Sequence, residues 1–249
     1  MVTHTMSTAR LMDLARARTS SDIVIPVWLP FAGALLTVLG SLVALAGLMT
    51  RQGMAAPEEA LAATGLTTLG MLLFVLGGIV QLYVVYKWID RRNKHFQRSR
   101  EFFREVAGLL GKMGVGRAER MEHTLREMEV EETRKEPIVW IILSLITMGL
   151  AFLYVLYFLT RDFYKHSMRE VYLAEDVEAG LAELGLAAPP SRFRPLPERN
   201  AVIYLILTLI FSPFLIYWVY VLTNDPNNHF KEHAVYEDGL IAVLEKAAA

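Results

Sequence analysis

Three times along this chain the sequence reads Tyr-x2-Tyr-x8-His: Tyr83, Tyr86 and His95; Tyr154, Tyr157 and His166; Tyr217, Tyr220 and His229. The histidines are 71 and then 63 residues apart, so the chain carries an internal repeat. The last two copies share Thr160-Arg-Asp162 and Thr223-Asn-Asp225, and an acidic residue follows each of their histidines within four positions, at Glu170 and Glu232. A glycine or proline precedes each tyrosine pair, at Gly77–Gly78, Gly149 and Pro213. Imidazole is a common ligand of zinc, copper, nickel and iron, so three equivalent histidines admit a metal reading. His229 and His233 also share one helix face at i, i+4. No His-x3-His or clustered-carboxylate pattern recurs across the repeats, however. The preferred expectation is plainer: each histidine hydrogen-bonds or caps within an interfacial layer, and no metal or other cofactor is expected. The tyrosines, three apart and hence on one helix face, are expected to anchor helix ends at lipid headgroup depth, ring buried and hydroxyl wet.

These residues must be positioned by long apolar elements. A bilayer core about 30 Å thick takes roughly 20 helical residues to cross. Four segments meet that length: 24–49, 61–86, 138–160 and 201–222. None contains Asp, Glu, Lys, Arg or His, and Gln81 is the most polar side chain within them. Trp28, Trp88, Trp140 and Trp218 lie near segment ends, as an aromatic belt requires. The pattern therefore predicts an all-α, polytopic membrane protein with four transmembrane helices and amphipathic helices extending from spans two, three and four. Composition agrees: 54% of the 249 residues are hydrophobic and mean hydropathy is +0.34, too apolar for an ordinary soluble domain. The absence of cysteine excludes disulfides, thiolate metal sites and iron–sulfur clusters. A net charge of −1 leaves no basic field for nucleic acid.

Small residues mark how the first two spans pack. Gly33, Thr37, Gly40, Ala44 and Gly47 form a stripe on one helix face, answered by Ala63, Thr67, Gly70 and Gly77 on the next. Lipid supplies no hydrophobic drive between helices, so close backbone approach and dispersion must hold them. A short loop at 50–60 would make them a tight antiparallel hairpin, although a partner subunit could use the same stripe. Beyond it, Ile89, Phe96, Phe103 and Leu110 recur every seven residues, with Val106 and Met113 beside them. Gly111, Gly114 and Gly116 end that amphipathic helix, and Ala118, Met121, Leu125 and Met128 begin another. Val171, Ala174, Val177, Leu181 and Leu184 repeat the theme, as do Phe230, Ala234, Ile241 and Leu244. Their mixed charge favours packing into a helical aqueous layer over binding the membrane surface. The Pro-rich stretch 187–197 reads as an extended, semi-rigid connector. The expected organisation is a short N-terminal segment (1–22), a transmembrane hairpin (23–87), cytoplasmic amphipathic helices (88–136), span three with its amphipathic helix and linker (137–200), and span four with its C-terminal helix (201–249).

The run Leu145-Ile-Thr-Met-Gly149 followed by Tyr154-Val-Leu-Tyr157, and above all Ile216-Tyr-Trp-Val-Tyr-Val-Leu-Thr-Asn-Asp225, resembles an uncharacterised family of small prokaryotic integral membrane proteins. That family shows a tandem Thr-x-Gly-Ile-Tyr-x-x-Tyr-Trp-x-Tyr-x-Leu pattern. The likeness covers mainly 138–166 and 201–229. It departs in lacking Ile-Tyr after Gly149 and in the long 88–136 insertion. The resemblance implies topology and no activity.

The 88–136 block, with 12 Lys/Arg, is expected in the cytoplasm together with the N-terminus, and the 50–60 loop outside. Full crossings would then put 161–200 outside, against its six basic residues. Re-entrant hairpins bending at Gly149 and Pro213 would keep every amphipathic helix on one side, but four full crossings are expected, in a multi-pass protein of the cell membrane. The spans carry no ionisable group of the kind that marks pumps and ion-coupled carriers. No metalloprotease, phosphate-loop or nucleophile-elbow motif is present. The expected function is a non-enzymatic membrane scaffold that contacts lipid, self-associates or docks a membrane-protein partner through its amphipathic helices, and wedge-like helices of this kind could shape the bilayer. The alternatives are a homo-oligomeric channel for ions or small solutes and an accessory subunit of a larger complex.

Overall fold

The computed structural model describes residues 2–52 and 56–248, and these are helical with no strand among them. The chain divides into two units, residues 25–88 and residues 1–24 with 89–249.

The first unit is the hairpin. Helix α3 is Leu29–Arg51, and α4 runs unbroken as Pro57–Lys112, its residues up to Trp88 belonging here. Residues 53–55 of the expected loop lie outside the described residues. Helix α3 starts where Pro30 can sit without breaking a hydrogen bond, because the first-turn N–H groups have no helical partner. The two small-residue stripes face each other with no space between backbones. A Cβ on Gly40 would lie 2.3 Å from the Phe74 nitrogen and 2.7 Å from the Gly70 oxygen. One on Gly70 would lie 2.2 Å from the Ala44 nitrogen, and one on Gly77 2.5 Å from the Thr37 nitrogen. Gly47 meets Thr67 and Ala63 in the same way, and Gly33 meets Val80. Gly78, one residue on from Gly77, faces open space. Gln81 Nε2 donates across the hairpin to the Pro30 carbonyl at 2.8 Å. The outward faces are bare: Leu35, Val38, Leu42 and Leu45 on α3, and Leu69, Leu72 and Leu76 on α4, are exposed. Both helices are long and apolar enough to cross a membrane, with only 17% and 22% of their most apolar windows buried, unlike core helices of a soluble protein.

The second unit is a helical bundle. It contains α1 (Val2–Arg16), the short α2 (Arg18–Ser21), α4 from Ile89 onward, α5 (Arg117–Glu131), α6 (Pro137–Ile146), α7 (Leu150–Glu183), α8 (Ala201–Ile210) and α9 (Phe214–Ala248). The seven-residue stripe of α4 turns inward as its periodicity requires. Phe103, Val106 and Leu110 are buried against Met121, Leu125 and Met128 of α5, Leu173, Val177 and Leu181 of α7, and Leu240 and Leu244 of α9. Helix α1 packs on α9 and adds Leu11 and Leu14. Left-handed Gly114 makes the turn between α4 and α5. The connector at 186–200 carries no helix and docks through buried Phe193. Pro226 sits inside α9, where its missing N–H frees the Leu222 carbonyl. Buried Arg91 takes up that acceptor at 3.1 Å.

Segments 138–160 and 201–222 depart from the single crossings expected of them. Each is bent into two arms. Helix α6 has only ten residues, and the chain reverses through Met148 and Gly149, both left-handed (φ 50° and 95°), before α7 begins. The reversal satisfies its own backbone, with the Gly149 N–H donating to the Ser144 carbonyl at 2.8 Å, a helix-ending bond that glycine permits at little cost. Trp140 of α6 packs back, its ring tilted, against Tyr154 and Phe158 of α7. The second hairpin bends at Phe211–Pro213, with Tyr204 of α8 against Phe214, Tyr217 and Trp218 of α9. Both tips are apolar and open: Met148 is 95% exposed and Ile210 79%. Gly77–Gly78, by contrast, does not interrupt α4.

Candidate metal centre

The repeat histidines meet in the interior of the bundle. The second tyrosine of each copy stands nine residues before its histidine, so α4, α7 and α9 carry their imidazoles at equivalent heights. Packing of the three helices brings the rings of His95 and His166 to 5.2 Å, those of His95 and His229 to 5.1 Å, and those of His166 and His229 to 6.3 Å. One turn further, the equivalent positions hold Ser99, Glu170 and His233, and these three also converge. His95, His166, Glu170 and His233 are 0% exposed and His229 is 1% exposed.

The carboxylate of Glu170 is the hub. Its Oε1 lies 2.7 Å from His166 Nε2 and 2.9 Å from His233 Nε2, and its Oε2 lies 3.0 Å from His229 Nε2. His95 Nε2 is 3.8 Å from Oε1, and the Ser99 hydroxyl donates to the same oxygen. Close as they are, Nε2 of all four histidines and Oε2 of Glu170 lack a partner in hydrogen-bonding geometry. Five buried polar atoms thus converge at ion-pair distance without hydrogen-bonding geometry, which in a folded interior demands an explanation. Donor atoms from His95, Glu170, His229 and His233 all lie within 4.8 Å of one another. A tetrahedral ion with bonds of about 2.0–2.1 Å separates its ligands by roughly 3.3–3.4 Å, so the four fit around one ion after shifts of a few tenths of an ångström to about one ångström.

The far side of three of the four rings is held too, His229 Nδ1 alone having no hydrogen-bond partner. His95 Nδ1 contacts Asp22 at 3.1 Å, His166 Nδ1 contacts Glu132 at 2.8 Å, and His233 Nδ1 contacts Glu237 at 3.1 Å. This carboxylate–imidazole pairing fixes ring orientation and leaves Nε2 free for a ligand role, as in metal-binding histidines generally. Arg98 ties two of these supports together, donating to Glu237 at 2.8 Å and 2.9 Å and to Asp22 at 2.8 Å, while Arg100 holds Glu132 at 2.6 Å. The supports come from α9 and from the residues that follow α5 and α2, so the site draws on elements far apart in the chain.

Electrostatics divides the rings into two kinds. Burial drives His95 well below the ordinary imidazole value despite Asp22, and burial lowers His229 as well. For His166, burial is outweighed by Glu132 and Glu170, and its value rises; His233, between Glu170 and Glu237, rises to about 9 against the same burial cost. Burial would raise Glu170, but His166, His233 and His229 hold it well below the usual carboxylate range. These shifts favour the anionic form of Glu170 and the neutral forms of His95 and His229, which bind cations. His233 and His166 are held toward their protonated forms, so an ion taking His233 as a ligand has to displace its proton.

No family model, no curated protein and no solved structure matches this chain. The site stands on its own geometry. The three histidines expected as separate interfacial groups are one cluster; their i+4 positions, with Glu170 and His233, complete it. Glu232 is exposed and takes no part. The repeat tyrosines do not come together with the histidines: Tyr83, Tyr154, Tyr217 and Tyr220 are exposed, and Tyr86 and Tyr157 half-buried. Sequence reasoning missed Ser99, Asp22, Glu132, Arg98 and Glu237. A signal existed for Ser99, at the i+4 register shared with Glu170 and His233, and for Glu237, one helical turn beyond His233; Asp22, Glu132 and Arg98 are brought in by tertiary packing.

Proposed function

We propose that this is a membrane-anchored metal-binding protein, in which His95, His229, His233 and Glu170 hold one first-row transition ion and His166 stands ready as a further donor. The observation that carries the reading is the convergence of five buried donor atoms that lack hydrogen-bonding geometry, backed by three carboxylate–imidazole pairs. Nitrogen and oxygen donors without thiolate suit Zn²⁺, Fe²⁺, Mn²⁺ or Co²⁺ rather than Cu⁺. The ion would neutralise Glu170 and tie α4, α7 and α9 at one point. We read its role as structural, a cross-link between three helices.

The membrane reading takes a re-entrant form. Helices α3 and α4 supply two crossings, and the hairpins α6–α7 and α8–α9 dip in from the side of the bundle. Such arms are about 15 Å long, half a bilayer core, and their exposed apolar tips suit that depth. Both termini and 161–200 then share the cytoplasmic side, which removes the charge conflict of four crossings. The glycine stripe is consumed within one chain, so self-association would have to use the bare leucine faces.

The test is elemental analysis of the full chain purified in mild detergent, beside His229→Ala and His233→Ala. About one equivalent of a transition metal in the wild type, lost in both variants, is expected. A wild-type chain that takes up no transition metal after reconstitution would end the reading.

A further inference from the structure

A second site lies at the side of the α6–α7 hairpin. A cleft of about 210 Å³ opens between α7, the segment that follows α5, and α4. Five basic side chains line it, Arg92, Lys135, Arg161, Lys165 and Arg169, against the acids Glu131, Glu132 and Asp162. Those acids are already engaged: Arg92 with Asp162 at 2.7 Å, Arg169 with Glu131 at 2.6 Å, and Glu132 with His166 and Arg100. Lys135 and Arg161 make no ion pair among the described residues; the Lys135 ammonium rests over the Phe158 ring, 5.5 Å from its centre. The cleft thus carries two cations in excess, with the aromatic rings of Tyr154 and Tyr157 along its wall.

Its height matters. Tyr157 and Arg161 lie nine and thirteen residues beyond the tip residue Met148, or about 14 Å and 20 Å along a helix. With the tip near mid-bilayer, half a hydrocarbon core of about 15 Å puts Tyr157 at the boundary and Arg161 among the headgroups. The other hairpin offers no such surplus, because its Arg199 is taken up by Asp225 and by the hydroxyls of Tyr204 and Tyr217.

We infer that this cleft binds one phosphate-bearing anion, with Lys135 and Arg161 as its free cations, and that the anion is the headgroup of an anionic phospholipid whose tails lie along α6 and α7. The inference rests on the re-entrant topology and not on the metal centre. Labelling of an introduced cysteine from either side of the membrane reads that topology separately.

Native mass spectrometry of the full chain released from neutral detergent tests it, with phosphatidylglycerol, phosphatidylcholine or inorganic phosphate added in turn. One phosphatidylglycerol per chain is expected, retained at least tenfold over phosphatidylcholine. In Lys135→Ala/Arg161→Ala, two side chains with no ion pair to lose, retention should fall at least tenfold. Lys112→Ala/Lys246→Ala removes the same charge elsewhere on exposed positions and should leave retention unchanged. Inorganic phosphate that binds as well as the lipid and displaces it would keep the anion site but assign it to a soluble phosphate. Equal retention of both lipids, or equal loss in both double variants, would overturn the proposal.

Discussion

The hairpin and the bundle are both helical, and they are held together by opposite means. Between α3 and α4 there is almost no polar chemistry: glycines at 33, 40, 47, 70 and 77 let backbones touch, and one glutamine bridges them. Inside the bundle, four imidazoles, four carboxylates and a buried arginine occupy the place where a core would normally be apolar. Shape alone serves where lipid surrounds the helices and polar groups have no water to fall back on. Where an aqueous layer covers the helices, buried charge is tolerable, but only if each group finds a partner. Here three Nε2 atoms crowd one carboxylate at 2.7–3.0 Å and none reaches hydrogen-bonding geometry, and that crowding is what the proposed ligand set would resolve.

The contrast can be broken at either end. Glu170→Ala should have the largest effect. It leaves His166 and His233 without their shared counter-charge in the interior, at a cost of about 3–5 kcal/mol, read as a lower melting temperature of the chelator-treated chain, and it should abolish metal uptake. Gly40→Leu comes next. With backbone only 2.3 Å from its Cβ position, the α3–α4 hairpin must splay, costing about 2–3 kcal/mol on the scale of overpacked cores. Metal content should stay at the wild-type level, because the bundle is a separate unit. A variant that lost both would mean the two regions are not independent.

Asp22→Asn probes a support rather than a ligand. The imidazole of His95 keeps its place but loses a charged partner, and metal affinity should fall about 10–100-fold in competition with a chelator. The smallest effect separates two neighbours. Gly77→Ala meets the Thr37 side chain and backbone at 2.4–2.5 Å and should destabilise the hairpin, whereas Gly78→Ala faces open space and should be neutral or stabilising by up to about 1 kcal/mol. Topology sharpens the same comparison. With cysteines at the exposed positions 194 and 247 (Arg194→Cys, Ala247→Cys), impermeant thiol reagents applied to whole cells should label neither. Labelling of Arg194→Cys alone would restore four full crossings.

The hairpin was legible in the sequence because its determinants are local and periodic: two stripes of small residues, at heptad spacing, in helices that can meet only along them. The bundle was legible in part. Amphipathic periodicity named Phe103, Leu110, Leu125, Val177 and Leu244 as inward-facing, since burial follows from helical phase alone. The repeat placed His95, His166 and His229 at equivalent heights. That equivalence does not say whether the helices turn those faces to one axis or to three different surfaces, and the interfacial expectation rested on the second. Asp22 lies 73 residues from His95, and Glu132 lies 34 from His166, so no spacing rule connects them. The bends were marked by Gly149 and Pro213, but a glycine at 77–78 made the same mark without a bend. The difference is what surrounds them: Gly77 is clamped against Thr37 inside a straight helix pair, while Gly149 faces open space at a tip.

X-ray absorption at the metal edge of the zinc-reconstituted full chain tests the central claim most directly, because it reads the ligands themselves. The account predicts a nitrogen/oxygen shell at about 2.0–2.1 Å with outer scattering from three or four imidazoles, reduced by one in His95→Ala. A spectrum without imidazole scattering, or one unchanged by substitution at His95, His229 and His233 in turn, would contradict it.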